Sequence, residues 1–427
     1  MRFGIREPPA GTHVNRATAK QLPLVFFTMF CTAQTISLFG DRLNNFSLMA
    51  IINNFADNPS MTLSKFYLAM TLPLFLLAPL VGALVDRLNK RWILVVTDLC
   101  RAVLTCMIPV LYIWTEDFFP VMVVVFLLAT ANLFFLPAKS ALIPELVSRE
   151  QLLRVNSILW SAGIAGLIGG FLGGGIIYDF FSWPACFYLD GVSYFLSASL
   201  ILGIALHGMK NRSVEPREAT YHPDFPKALL EGIHAIRTSP LLLRPIGVQS
   251  LLFVGGGGFS VLALPLIKEV SPPGSSLPLS VAGLSLGIGM GLGSLVASRL
   301  KLGTQVKERF EAAFFALVVP ATLTIALGRG LLSIVVGAFL AGVAASPLII
   351  IAESELQREI HESMRGRVFA FREIITKSFF IVSSFLFSWL AGFAGKRALI
   401  LALGLFLACT GVLWITMRGS GCRSQRR

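Results

Sequence analysis

The sequence predicts an all-α integral membrane protein with twelve transmembrane helices in two six-helix halves. Three observations carry this expectation. Of 427 residues, 55% are hydrophobic and only 14% charged, with a mean hydropathy of +0.75, whereas a soluble domain carries about 25% charged residues. Apolar windows of about 20 residues recur, each able to cross the roughly 30 Å hydrocarbon core, where lipid permits only helices or closed barrels. They are too long and too uniformly apolar for barrel strands. Finally, Lys and Arg gather in alternate connections, as the positive-inside rule requires.

Spans are expected at 22–54, 66–86, 92–114, 119–137, 152–178, 183–206, 243–267, 277–299, 308–328, 331–352, 369–392 and 397–417. The first is long enough to tilt or break. The longest polar stretch, 208–242, separates an N-terminal half (1–207) from a C-terminal half (243–427). Within it Ala228, Leu229, Ile233 and Ile236 recur at helical spacing. That spacing reads either as a plain linker or as a short amphipathic helix on the inner membrane surface.

With the N-terminus inside, 28 of the 36 Lys and Arg fall in inside segments. The outside loops hold only Lys65, Lys268, Arg329, Lys396 and Arg397. Both termini are thus expected in the cytoplasm, with the chain in the cell inner membrane. The net charge of +13 is a topology signal rather than a nucleic-acid surface, being scattered over short loops. The first 20 residues lack an apolar h-region, so no cleaved signal peptide is expected.

Several function classes are disfavoured. No G-x-x-x-x-G-K-[ST] loop occurs, the five histidines belong to no HExxH motif, and the six cysteines form no close CxxC pair and read as small buried hydrophobes. An enzyme is not expected, nor a metal or cofactor. An ion gradient or the substrate's own gradient must supply the energy.

Charges inside apolar spans cost several kcal/mol each, about 2.5–3.5 on insertion scales, unless paired or hydrated, and so mark candidate sites. Asp41 and Arg42 are adjacent and point about 100° apart on a helix, so they cannot share one partner. Asp98 and Arg101 are three apart on one face and are expected to pair. Asp190 is either a second cavity carboxylate or the cross-helix partner of Arg101. Glu373 precedes Lys377 by four residues, so Lys377 either pairs with it or is a cavity cation for an anionic substrate group. Coupling needs a group that changes charge as the cavity switches sides. Asp41 is the best-placed proton carrier, with Arg42, Asp190 and Lys377 as further coupling or substrate candidates. The run Gly255, Gly256, Gly257, Gly258 predicts a hinge or local unwinding, or else close packing.

Between spans two and three stands "GALVDRLNKR". Gly82 permits close helix approach there, Asp86 can face a neighbouring helix N-terminus, and Arg87, Lys90 and Arg91 can pair with carboxylates or lipid phosphates when the inner side is shut. The stretch resembles the G-x-L-x-D-R-x-G-R-R signature of the major facilitator superfamily, with Asn89 for the second glycine and Lys90 for the next arginine. That resemblance implies alternating access and pseudo-symmetric halves. The expected second copy, "GSLVASRLKLGTQVKER", keeps Gly293 and Leu295 but has Ala297 in place of the aspartate, implying an asymmetric gate.

Gly166, Gly169, Gly170, Gly173 and Gly174 in span five resemble the G-P-x-x-G-G element associated with antiporters, with Gly170 replacing the proline. Their spacing also suits simple helix packing. "FFLPAKSALIPELVSREQLLRVNSI" and "RGRVFAFREIITKSFF" are similar to the drug and siderophore exporter branch, including macrolide-efflux and enterobactin-exporter proteins. The "GD" of span one with "PAK" is also similar to the lysophospholipid flippase branch. The resemblance implies a monomeric, proton-coupled exporter of an amphipathic small molecule. A lipid flippase and a transporter-fold protein with an organelle or assembly role are the alternatives.

Overall fold

A computed structural model describes residues 24–146, 152–210, 240–299, 304–360 and 365–424. The amphipathic segment expected within 208–242 lies outside the described residues beyond Lys210 and before Pro240. Twelve helices occupy the described chain, with no strand among the described residues. They are α1 (Leu24–Phe55), α2 (Pro59–Arg87), α3 (Lys90–Thr115), α4 (Phe118–Leu146), α5 (Leu152–Phe181), α6 (Pro184–Lys210), α7 (Pro240–Val270), α8 (Leu277–Arg299), α9 (Thr304–Leu327), α10 (Leu331–Glu359), α11 (Arg365–Leu390) and α12 (Lys396–Ser424).

Local chemistry sets the helix starts. Pro59, Pro184 and Pro240 each open a helix, where a missing N–H costs nothing and the fixed φ fits. The Asn58 side chain accepts a hydrogen bond from Met61 N at 3.1 Å, capping α2. Asn89 does the same for α3, accepting from Arg91 N at 3.1 Å. The residue that departs from the glycine of the signature therefore serves as the N-cap of the next helix.

Ten helices are apolar and long enough over their described residues to cross a membrane, and α5 adds a shorter apolar stretch, Ala165–Phe181. α1 is continuous through Asp41 and Arg42, so it does not break there.

The packing repeats with a shift of six helices. α1 packs on α5 and α6, α2 on α4, and α3 on α4 and α6; α7 packs on α11 and α12, α8 on α10, and α9 on α10 and α12. The two sets meet crosswise, α5 against α8 and α2 against α11. Such an i to i+6 correspondence is the mark of two pseudo-symmetric six-helix bundles.

The bundle has two ends. The α1–α2 turn, with Asn58, marks one face and the α2–α3 turn, with Asn89, the other. Contacts between the two sets sit toward the Asn58 face: Ser60 Oγ donates to Val261 O at 2.6 Å, Ser64 Oγ to Ser384 O at 3.0 Å, and the Tyr67 and Phe380 rings stand 4.8 Å apart. Asp179, at the end of α5, accepts from Ser276 N (2.9 Å), Ser276 Oγ (2.8 Å) and Ser275 Oγ (2.7 Å), a carboxylate from one half at the helix N-terminus of the other. Further along the α5–α8 seam, Gly163 and Gly291 have no atom within 4 Å of a Cβ built on them. Among the described residues, the polar and aromatic contacts between the two halves thus sit toward the Asn58 face.

Candidate functional site

Four helices of the first half turn polar stripes toward one another. In α6, Asp190, Ser193, Tyr194 and Ser197 fall at i, i+3, i+4 and i+7 and are all buried, one helical face. α1 supplies Asp41 and Asn44, α3 Asp98 and Arg101, and α4 Asn132 and Lys139. Close approach makes the meeting possible. A Cβ at Gly40 of α1 would lie 2.1 Å from Ser193 Oγ and 2.4 Å from Asp190 Oδ1, and one at Gly191 of α6 would lie 2.4 Å from Cys106 Sγ of α3.

The hydrogen bonds run across all four helices. Tyr194 donates its hydroxyl to Asp41, and Asn44 Nδ2 donates to Asp190 Oδ2 at 2.9 Å. Ser193 Oγ reaches Asp190 Oδ1 at 3.2 Å, and Ser197 Oγ reaches Asp98 Oδ2 at 2.7 Å. Arg101 forms an ion pair with Asp98 and donates to Asn132 Oδ1 at 2.9 Å. Its guanidinium also lies over the Phe135 and Tyr194 rings, 3.9 and 4.6 Å from their centroids. A buried cation held by a carboxylate, an amide and two ring faces is well compensated. Lys139 lies within electrostatic reach of Asp41, Asp98 and Arg101.

Asp98, Arg101 and Asp190 are 0%, 1% and 0% exposed, whereas Asp41 is partly exposed. The network is thus sealed inside the first bundle, with Asp41 at its accessible edge. Asp190 takes its hydrogen bonds from Asn44 and Ser193; the ion pair of Arg101 goes to Asp98. Arg42 parts from Asp41 and turns its stem to α5, where a Cβ at Gly170 would come within 2.2 Å of Arg42 Cβ.

The glycines of α5 form the seam for α1. Gly166 lies against Leu38 O, Gly169 and Gly173 against Phe39, and Gly174 against Phe46. At α7 the helix runs unbroken through Gly255 to Gly258. Those positions accommodate neighbours. A Cβ at Gly257 would stand 2.3 Å from Phe380 O, one at Gly255 2.7 Å from Leu407, and one at Gly258 2.8 Å from Phe387 and Leu403.

Gly82, Asp86 and Arg87 close α2, and their side chains lie outside the described residues. Lys90 is half-buried and Arg91 is buried at the start of α3. Glu373 pairs with Arg372 at 2.7 Å rather than with Lys377, and Arg372 also pairs with Glu353 of α10. Arg244 of α7 pairs with Glu311 of α9 and with Glu355 of α10, the latter at 3.4 Å. These pairs tie the second bundle together near the Asn89 face. Lys377 instead has its ammonium 5.4 Å from the Phe253 ring centroid.

Sequence reasoning passed over Tyr194, Asn44, Asn132 and Lys139. The signal was present in the spacing: Asn132 and Lys139 are seven apart, and the α6 stripe has helical period.

The Major Facilitator Superfamily model matches residues 26–375. The chain belongs to that superfamily. It is therefore a multi-pass membrane protein of a transporter family. It is 26% identical over 380 residues to an uncharacterised MFS-type transporter of Mycobacterium tuberculosis, covering 84% of this chain and 83% of that one. It is 23% identical over 274 residues to macrolide efflux protein A of Streptococcus pyogenes, covering 64% and 66%. In three dimensions it is similar to a bacterial homologue of the iron transporter ferroportin in an inward-facing state, with a TM-score of 0.66 at 18% identity over 92% of this chain and 100% of that one. At that identity the structural likeness shows the fold alone.

Proposed function

We propose that this chain is a secondary active transporter, not an enzyme, that exports an amphipathic small molecule of drug or siderophore type against inward proton flow by alternating access. It works as a monomer in the cell inner membrane with both termini cytoplasmic. The residues 1–207 and 243–427 rock as two bodies about the site, joined by 208–242. The efflux assignment of a relative supports the direction.

The observation that carries proton coupling is the charge inventory of the buried network. Among its described residues, Asp41, Asp98 and Asp190 face two cations, Arg101 and Lys139. An uncompensated charge away from water is costly, so one proton completes the network's neutrality. Asp41, partly exposed and bonded to Tyr194, is the carboxylate placed to exchange that proton with the cavity. Gly82, Asp86, Arg87, Lys90 and Arg91 serve as the gate on the same side, and Gly255 to Gly258 as a sliding seam in the second half.

The test is uptake of erythromycin, ethidium and 2-naphthylacetate into everted membrane vesicles under an imposed proton gradient. At least one should accumulate, an uncoupler should abolish the accumulation, and Asp41→Asn should lower it at least about a hundredfold, the lower range for loss of a proton-transfer group. Gradient-insensitive uptake retained by Asp41→Asn would overturn the proton role.

A further inference from the structure

Lys377 stands on the side of α11 that faces the other half. Glu373, Lys377, Phe380 and Ser384 recur at intervals of four, three and four, which places them on one helical face. Phe379, Val382 and Leu386, on the opposite side, are exposed toward lipid. The shared face is the inter-half face: Ser384 O accepts Ser64 Oγ of α2, and Phe380 packs on Tyr67 of α2. These contacts lie toward the Asn58 face, and Lys377 is the next residue of the stripe toward the Asn89 face, with its side chain partly exposed.

An aromatic wall surrounds it. Phe253 and Phe380 have centroids 6.3 Å apart with edge-to-face geometry, and Tyr67 continues the wall from the other half. The ammonium lies beside the Phe253 ring and is partly exposed. Among the described residues no carboxylate lies within ion-pair distance of it, because Glu373 is engaged by Arg372. The inter-half face thus offers one positive charge without an acidic partner among the described residues, beside the Phe253 ring, which continues edge to face into Phe380 and Tyr67. A cation at membrane depth is costly unless something compensates it.

We infer that Lys377, Phe253, Phe380 and Tyr67 form a substrate site for an amphiphile with an aromatic or aliphatic body and one anionic group, a carboxylate or a phosphate. This rests on the transporter reading given above, not on proton coupling. The anion pairs with Lys377 and the body lies on the rings. A lysophospholipid headgroup and a free anionic amphiphile present the same chemistry.

Equilibrium binding to the purified full chain in nanodiscs, without any gradient, separates this proposal from the coupling mechanism. The probes are 2-naphthylacetate, its neutral amide 2-naphthylacetamide, dodecyl phosphate and lysophosphatidylglycerol. Wild type should bind 2-naphthylacetate at least about tenfold more tightly than the amide, a charge-assisted contact of about 1.4 kcal/mol or more. Lys377→Gln should reduce the preference to less than about twofold, and an unchanged melting temperature and elution profile in the nanodisc show that the variant is folded. Lys377→Arg should retain the preference. Competition by lysophosphatidylglycerol but not by dodecyl phosphate assigns the site to a lipid, and the reverse assigns it to a free amphiphile. Equal binding of the acid and the amide to wild type, a preference that survives Lys377→Gln, or no binding of any anionic probe overturns the inference.

Discussion

The two halves solve the same packing problem with opposite chemistry. In the first, the seam of α3 with α6 holds Asp98, Arg101, Asp190 and Ser197, all buried near mid-helix. In the second, the corresponding seam of α9 with α12 is closed by small and apolar groups, with Gly404 against Thr322 and Gly411 against Phe315. Its ion pairs, Arg244 with Glu311 and Arg372 with Glu353, lie instead near the Asn89 face. The one charge that enters this seam, Arg397, donates to Ile325 O and Gly328 O at its Asn58 end. A buried ion pair costs desolvation that an apolar seam does not, and the coupling role proposed above would account for the charges of the first half.

That contrast can be broken by substitution. Arg101→Met leaves Asp98 buried without its cation and should cost about 3–5 kcal/mol, read as a large fall in melting temperature and yield. A change in the second-half seam, Thr322→Val, should cost less than about 1.5 kcal/mol; comparable losses would remove the asymmetry. Gly170→Val drives a side chain into Arg42 Cβ and should cost about 1–3 kcal/mol or more, whereas Gly163→Ala, in open space, should be silent. Proteolysis midpoints would separate the two.

A smaller effect is expected at the closed end. Asp179→Ala removes a carboxylate from the α8 N-terminus, worth about 0.5–2 kcal/mol as a cap. Because the bond crosses between halves, that energy should appear as a shift toward opening at the Asn58 face. Accessibility of a cysteine placed at Ser275 to a water-soluble maleimide measures the shift; unchanged labelling would show that Asp179 is not a latch.

Much of this was legible in the residues. The span expected at 92–114 is the helix Lys90–Thr115, and the expected Asp98–Arg101 pair forms, because i, i+3 neighbours meet in any helix. What could not be read were partners set by the rotation of one helix against another. Tyr194 with Asp41 and Ser197 with Asp98 lie 153 and 99 residues apart. Glu373 and Lys377 have the spacing of a pair, yet Arg372 reaches Glu373 instead. The four glycines of α7 read in the sequence as either a hinge or a close-packing surface, and only the fold supplies the neighbours Phe380, Phe387, Leu403 and Leu407. Lys139 lies past the expected span 119–137, and the extension of α4 to Leu146 carries it into the network.

The central claim is that Asp41 takes up the proton that switches the two halves. The direct measurement is the distance between spin labels at Gly163 and Gly291, on the two sides of the α5–α8 seam, in a cysteine-free background reconstituted in nanodiscs. Between acid and alkaline buffer the wild-type distance distribution should change. Asp41→Asn should give a single distribution in both buffers, matching the wild type at acid pH. An Asp41→Asn protein whose distances still follow pH as the wild type does would contradict the account.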